Sequence, residues 1–364
     1  MAVPETMRAV VLTRHGGPEV LELRWDWPVP QPGPHDVLIR VGACGVNNTD
    51  INTRTGWYAK SVTGATADAV DAGDEEPSWG GAPLAFPRIQ GADVVGEVVA
   101  AGEAAEQGLI GRRVMVDCWL RDWDDPLNRD KTGYVGSECD GGFAEYMVVD
   151  HRNAVAVDSP LSDSELATFA CSYSTAEGML TRAGVTAEDT VLVTGASGGV
   201  GSALTQLARR RGAGVVCLAG EAKHDRVAAL NPAAVLPRAP ADLAAALEGA
   251  IGQRTVSVVA DIVGGDYFPA LIDVLERGGR YTCSGAIAGP IVGLDLRTLY
   301  LRDLTFTGST VLPPEIFRTL VGYIEKGEVR PLVAATYPLF DISDAQEAFS
   351  GKSHVGNIVL LPQV

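Results

Sequence analysis

A chain of 364 residues is long for one hydrophobic core and suits two domains. Its residues are 46% hydrophobic and 21% charged, an ordinary balance for a soluble globular protein. The formal charge of −17 disfavours phosphate backbones and anionic membrane surfaces, so neither nucleic acid nor membrane is expected as a partner.

No apolar run approaches the ~20 residues of a membrane span, and the opening MAVPETMRAVVL lacks the apolar stretch of a signal peptide. Six cysteines (Cys44, Cys118, Cys139, Cys171, Cys217 and Cys283) are scattered without a C-x-x-C pair, so no disulfide framework is expected. Cys217 and Cys283 lie in apolar, strand-like runs and read as inert core residues. The expected location is cytoplasmic.

In chain order, 7–12, 21–24 and 36–41 read as strands, with Pro28, Pro30, Pro32, Gly33 and Pro34 keeping one connection non-helical. The stretch CGVNNTDINTRTGWY, 44–58, is dense in polar groups directly after a strand, where active-site loops often sit. Residues 59–85 turn small, acidic and glycine-rich, as in a surface insertion or lid, and Trp79 is expected to pack beneath it, with capping of a pocket as the alternative. From Phe86 strand-like runs alternate with glycine turns, which suggests a partly closed β barrel, while 120–140 is polar and irregular. A helical spacing follows from Asp163, with Ser162 as N-cap and Glu165 completing a capping box.

Residues 190–220 carry the clearest signal. Thr190–Thr194 is a short apolar, β-branched run typical of a strand buried on both faces. It runs into Gly195, Gly198, Gly199 and Gly201, then into a helical period closed by Gly212, then into a second buried strand at 215–218. Such a βαβ unit aims free N–H groups and a positive dipole end at an anion. In the Ala196-x-Gly198-x-x-Gly201 register alanine replaces the first glycine of the dinucleotide fingerprint. Gly198 still admits a pyrophosphate, and Gly201 still lets helix pack on strand. Further on, 221–230, 241–251 and 268–275 read as helices and 256–263 and 280–284 as strands, so a parallel, doubly wound α/β sheet is expected. The end of the chain reads as helix 314–326, strand 332–337, helix 343–350 and strand 357–361.

Taken in order, MRAVVL at the start, GVNNTD-x7-Y from Gly45 to Tyr58, GADVVGEV from Gly91, GGFAEY from Gly141, the ASGGVG turn, DIVGG from Asp261 and GGRYTCSG from Gly278 resemble the medium-chain dehydrogenase/reductase superfamily. The chain looks most like its zinc-independent quinone oxidoreductase and enoyl reductase branch. The resemblance implies a GroES-like β-barrel catalytic domain, 1–160 completed by 315–364, around a Rossmann domain at 161–314, with catalysis in the cleft between them. It also implies a homodimer paired through the edge strand near 304–308.

Zinc members of the superfamily take ligands from a cysteine after the third strand, a histidine in a GHE motif and a later cysteine or acid. Cys44 matches the first and Cys171 the last, but the GHE position reads Gly91-Ala92-Asp93. Alanine has no lone pair to offer, and a catalytic zinc wants three protein ligands. A four-cysteine structural lobe is absent too, since 119–140 holds only Cys139. No metal is therefore expected, with Cys44 and Cys171 as small residues lining the cleft, and the rival reading is a zinc alcohol dehydrogenase using Cys44, Asp93 and Cys171.

Without a Lewis acid, hydride transfer suits a conjugated carbonyl or quinone, whose developing anion needs a hydrogen-bond donor and then a proton. By the resemblance, Tyr58 is the donor, with Asn47 and Asp50 orienting cofactor and substrate. The plainer reading of Asn47, Asp50 and Tyr58 is Asx-turn and loop hydrogen bonding. Tyr173 is a second candidate acid, and Glu177 a packing or capping residue. The cofactor is expected to meet Thr175, the turn residues Ser197, Gly198, Gly199 and Val200, and Val263, Ser284, Gly285 and Ser309. Where an NAD enzyme carries an acid for the ribose 2′-OH, this chain has Gly220 followed by Lys223, His224 and Arg226, which favours NADP(H), although Glu221 lies close by. A further alternative is a non-catalytic NADPH-binding protein.

Overall fold

The computed structural model describes residues 3–66 and 83–364, which form two compact units. One takes 3–62, 83–171 and 313–364; the other takes 63–66 and 172–312. The divisions fall at Cys171/Ser172 and Leu312/Pro313 rather than at 160/161 and 314/315. Residues 67–82, with Trp79, lie outside the described residues.

The first unit opens with β1 (Thr6–Leu12) and β2 (Leu21–Pro28), an antiparallel pair. Ladder pairing as far as Thr6↔Pro28 carries β2 beyond the expected end at Arg24, although most of its side chains are exposed. β3 (Asp36–Val46) also overruns its expected end at Val41, because neighbours on both edges extend its ladder. The polar stretch that follows is a helix, α1 (Asn48–Thr55), and not a loop. Asn47 is its N-cap, the Asp50 side chain accepts the Asn47 N–H at 2.7 Å, and Gly56 closes it at φ 74°.

β4 (Asp93–Ala101) and β5 (Arg113–Val116) continue the main sheet. The irregular stretch then forms a small antiparallel pair, β6 (Trp119–Arg121) and β7 (Thr132–Tyr134). Its charges tolerate enclosure because Arg121 and Asp117, 1% and 5% exposed in their side chains, pair at 2.7 Å. β8 (Tyr146–Asp150) and β9 (Ala154–Ala156) follow. Next come α2 (Asp163–Leu166), with the expected Ser162/Glu165 capping box, and α3 (Ala170–Arg182).

The second unit is built on a parallel sheet. In chain order it has β10 (Thr190–Val193), α4 (Gly199–Arg210), β11 (Gly214–Ala219), α5 (His224–Ala228), β12 (Ala234–Pro237) and α6 (Leu243–Ile251). After these come β13 (Val256–Asp261), α7 (Phe268–Asp273), β14 (Leu275–Cys283), α8 (Leu296–Leu301) and β15 (Thr305–Gly308). The strand order is β12-β11-β10-β13-β14-β15, with every neighbouring pair parallel. The order reverses between β10 and β13, the crevice where open α/β sheets hold ligands. Leu192, Val216, Val259, Leu271 and Tyr281 belong to one buried cluster of this unit. β12 and α8 were not legible as elements: β12 is four residues ending in proline, and α8 has no fully buried residue.

The chain then completes the first unit with α9 (Pro314–Glu325), β16 (Val333–Pro338), α10 (Ile342–Ser350) and β17 (Asn357–Leu361). The seven-stranded sheet runs β16-β17-β3-β4-β5-β9, with β8 also on β3. Leu360 pairs with Cys44, so the last strand lies against the one that leads into α1.

Candidate active site

In the first unit the candidate residues gather at the start of α1. Asn47 and Asp50 are 7% and 4% exposed. The Asn47 side-chain amide donates to Asp93 Oδ2 at 2.7 Å, and the Gln90 amide donates to the Asp50 carbonyl at 2.8 Å. Burial pushes the Asp50 carboxyl up to about 7, with the Asp93 charge adding to it and N–H donation from Asn47 opposing it. Asp93, 0% exposed, is pushed up to about 6 by burial, against hydrogen bonds from Asn47 and Cys171. Tyr58 donates to Thr49 Oγ1 at 3.4 Å, and its ring meets Trp57 edge-on at 5.6 Å. Burial raises its phenol to about 12, so it is protonated and able to donate at neutral pH.

The residues at zinc-ligand positions do not fit a metal ion. Both Asp93 oxygens already accept N–H groups, Oδ2 from Asn47 and Oδ1 from the Cys171 backbone. Cys44 is 0% exposed, and burial, with the Asp50 and Asp93 charges adding to it, pushes its thiol well up. Side chains at Gly91 and Gly142 would come within 2.8 and 3.0 Å of its sulfur. It is core, not the cleft-lining residue expected. Cys171 Sγ accepts the Tyr134 hydroxyl at 3.1 Å. Among the described residues no group of three or more His, Cys, Asp or Glu is placed to hold a metal.

In the second unit the glycine turn joins β10 to α4. Gly195 has φ 56°, the Gly198 N–H bonds the Gly195 carbonyl at 3.0 Å, and Gly198 is the N-cap without a side-chain cap. A Cβ at Gly201 would stand 2.2 Å from the Gly195 carbonyl oxygen, so only glycine lets helix and strand approach this closely. Ser197, Gly198, Gly199 and Val200 are all half-buried around the helix N-terminus. Such a turn fits a pyrophosphate.

Gly220 is exposed beyond β11, and a side chain there would touch nothing within 4 Å. Lys223 reaches back to the turn, donating to Ser197 Oγ at 3.3 Å. Burial, with Arg226 and Arg238 repelling it, lowers the lysine's pKa. Arg238 was not singled out in the sequence; it follows β12, and its place beside Lys223 comes from the β11–β12 pairing. Glu221 is exposed, and the His224 ring contacts the Ala219 carbonyl at 3.2 Å.

Asp261, at the end of β13, organises the neighbouring loop. It is 0% exposed and accepts from Thr194 at 2.6 Å, Tyr281 at 2.7 Å and the Val263 N–H at 2.8 Å. Val263 and Ser284 are half-buried, and Gly285 is exposed. Ser309 is 2% exposed, and its hydroxyl has no hydrogen-bond partner among the described residues. Thr175 is half-buried on α3. Tyr173 is 1% exposed, and its hydroxyl accepts from Gln206 at 2.7 Å, so its enclosure suits core packing and not the proton delivery considered for it. Glu177 pairs with Arg211 through two bonds of 2.7 and 2.8 Å, a packing role.

Residues 33–159 match the alcohol dehydrogenase GroES-like domain and 233–360 the zinc-binding dehydrogenase family. A Sinorhizobium meliloti structure solved as a candidate alcohol dehydrogenase is 48% identical, with TM-score 0.91, over 99% of this chain and 98% of that one. Human quinone oxidoreductase is 28% identical over 98% of each chain. A mycobacterial protein solved in complex with NADPH is 27% identical, with TM-score 0.77, over 98% of this chain and 100% of that one. The expected pairing of a GroES-like domain with a Rossmann-type sheet is therefore present.

Proposed function

The chain belongs to the medium-chain dehydrogenase/reductase superfamily and is an oxidoreductase, and from that premise we propose that it transfers hydride from NADPH to a conjugated carbonyl or a quinone without a metal. Bound NADPH supplies the hydride. The observation that carries the reading is the engagement of both Asp93 oxygens by Asn47 and Cys171, because Asp93, next to Ala92 at the histidine position, is the acid a shifted zinc site would have to use. With no Lewis acid, the anion that develops on the acceptor oxygen needs a neutral donor. Tyr58, held protonated by burial, is proposed for that role. Asn47 and Asp50 position it from the first turn of α1, Asp50 holding the Asn47 N–H.

The glycine turn, with Ser197, Gly198, Gly199 and Val200, supports a pyrophosphate site. Lys223, Arg226 and Arg238 support a preference for the additional phosphate of NADPH. Thr175, Val263, Ser284, Gly285 and Ser309 are proposed to orient the nicotinamide, and Asp261 shapes the loop bearing Val263. The proposed partner is a second copy, paired along the edge strand β15. Ile291, Leu296 and Tyr300, each more than 60% exposed, support this. A cytoplasmic location is proposed, consistent with six free cysteines.

The test is NADPH turnover with quinones and enones beside alcohol oxidation, with and without chelator, on protein whose zinc is measured. Reduction unaffected by chelator, with less than about 0.1 zinc per chain, is expected. Alcohol oxidation that is lost on chelation, with about one zinc per chain, overturns the reading in favour of the zinc alcohol dehydrogenase. Tight NADPH binding with no turnover leaves a binding protein.

A further inference from the structure

Asp93 is 0% exposed at the first position of β4, where an isolated carboxylate would be costly. Two donors compensate it. The Asn47 amide, from the N-cap of α1, reaches Oδ2 at 2.7 Å. The backbone N–H of Cys171 reaches Oδ1 from the first turn of α3, where helix N–H groups lack intrahelical partners. One side chain thus joins a strand to the starts of two helices whose positive dipole ends favour an anion.

The opposite strand makes room for this arrangement. Gly45 of β3 is the ladder partner of Asp93, and a Cβ there would stand 2.9 Å from Asp93 Cβ and Oδ2. The same Cβ would stand 2.5 Å from the Ala167 carbonyl oxygen, so a side chain at Gly45 would clash with backbone as well as with the carboxylate. The space and both hydrogen bonds are arranged around an acceptor of this size.

We infer that Asp93 is a positioning residue, an organic strut one residue beyond Ala92, where zinc relatives place a histidine ligand, and that it sets Asn47, Asp50 of α1 and Tyr58 just beyond α1 against the start of α3. The inference rests on the proposed roles of those three residues. In Asp93→Asn one oxygen becomes an NH2 group facing an N–H donor, so one of the two bonds is lost while the shape is kept.

The experiment combines steady-state kinetics, cofactor titration and amide hydrogen exchange resolved at Cys171 and at 47–50. In D93N, kcat is expected to fall about 100-fold, as for a small misplacement of reacting groups. The NADPH Kd is expected to stay within about twofold, and exchange at the Cys171 amide or at 47–50 to quicken about tenfold. The exchanged pair N47D/D93N restores donor to acceptor at both contacts and should recover wild-type protection at Cys171. It is also the variant to measure if D93N alone does not fold.

Unchanged exchange in D93N, no recovery in the exchanged pair, or kcat within twofold of wild type while exchange quickens would each overturn the inference. If the wild-type protein reduces neither quinones nor enones, the proposed reaction fails separately, and the exchange measurements still decide whether Asp93 is the strut.

Discussion

Lys223 offers the sharpest test of cofactor choice. Its ammonium is half-buried, hydrogen-bonded to Ser197 on the glycine turn and repelled by Arg226 and Arg238, so an anion placed among the three relieves that repulsion. Two unit charges about 4 Å apart interact by about 1 kcal/mol in water and about 4 kcal/mol at the effective dielectric of a protein surface. A half-buried lysine falls between, at about 2 kcal/mol. Lys223→Ala is therefore expected to weaken NADPH about 30-fold and to leave NADH within about twofold, because only NADPH carries the extra phosphate. Arg238 is exposed, so Arg238→Ala should cost NADPH about fivefold. The assay is fluorescence titration of both cofactors at two salt concentrations, and the gap between them should narrow as salt screens the exposed charges. Equal weakening of NADPH and NADH in K223A, or wild-type protein that binds NADH as tightly as NADPH, would refute the reasoning.

Tyr58→Phe is expected to lower kcat about 100-fold with NADPH binding unchanged, measured with whichever quinone or enone is turned over. Because burial holds the phenol near 12, wild-type kcat should show no fall through pH 9–10, where an ordinary tyrosine ionises. Asp50 holds its proton more tightly folded than unfolded, since burial raises its carboxyl to about 7. Its contribution to stability is thus fully present below the ordinary carboxylate pKa and is lost as pH rises through about 7. Unfolding of Asp50→Asn followed from pH 4 to 8 should show the variant gaining on wild type by at most about 4 kcal/mol. A difference that stays flat with pH would show that Asp50 is not proton-bound in the folded state.

Much of the architecture could be read from local patterns. The Ser162/Glu165 capping box and the glycine turn at 195–201 each lie within a few residues, where spacing alone determines which groups meet. Periodicity placed β10, α4 and β11 within a residue or a few of their ends, because each buries a continuous face. It failed at α1, whose polar sequence resembles a loop, and at β12, which is too short to show a period.

The residue types at 47, 50 and 58, the glycine turn and the missing histidine before Asp93 were all present in the chain as written, and so the question of metal or no metal was posed there. Tertiary structure decided what those residues touch. Asp93 meets Asn47 and Cys171 across 46 and 78 residues of chain, Cys44 is sealed beneath Gly91 and Gly142, and Arg238 comes beside Lys223 through the pairing of β11 with β12. None of these contacts has a spacing signature. Burial and donor–acceptor matching act through space, and only the folded sheets bring such distant positions together.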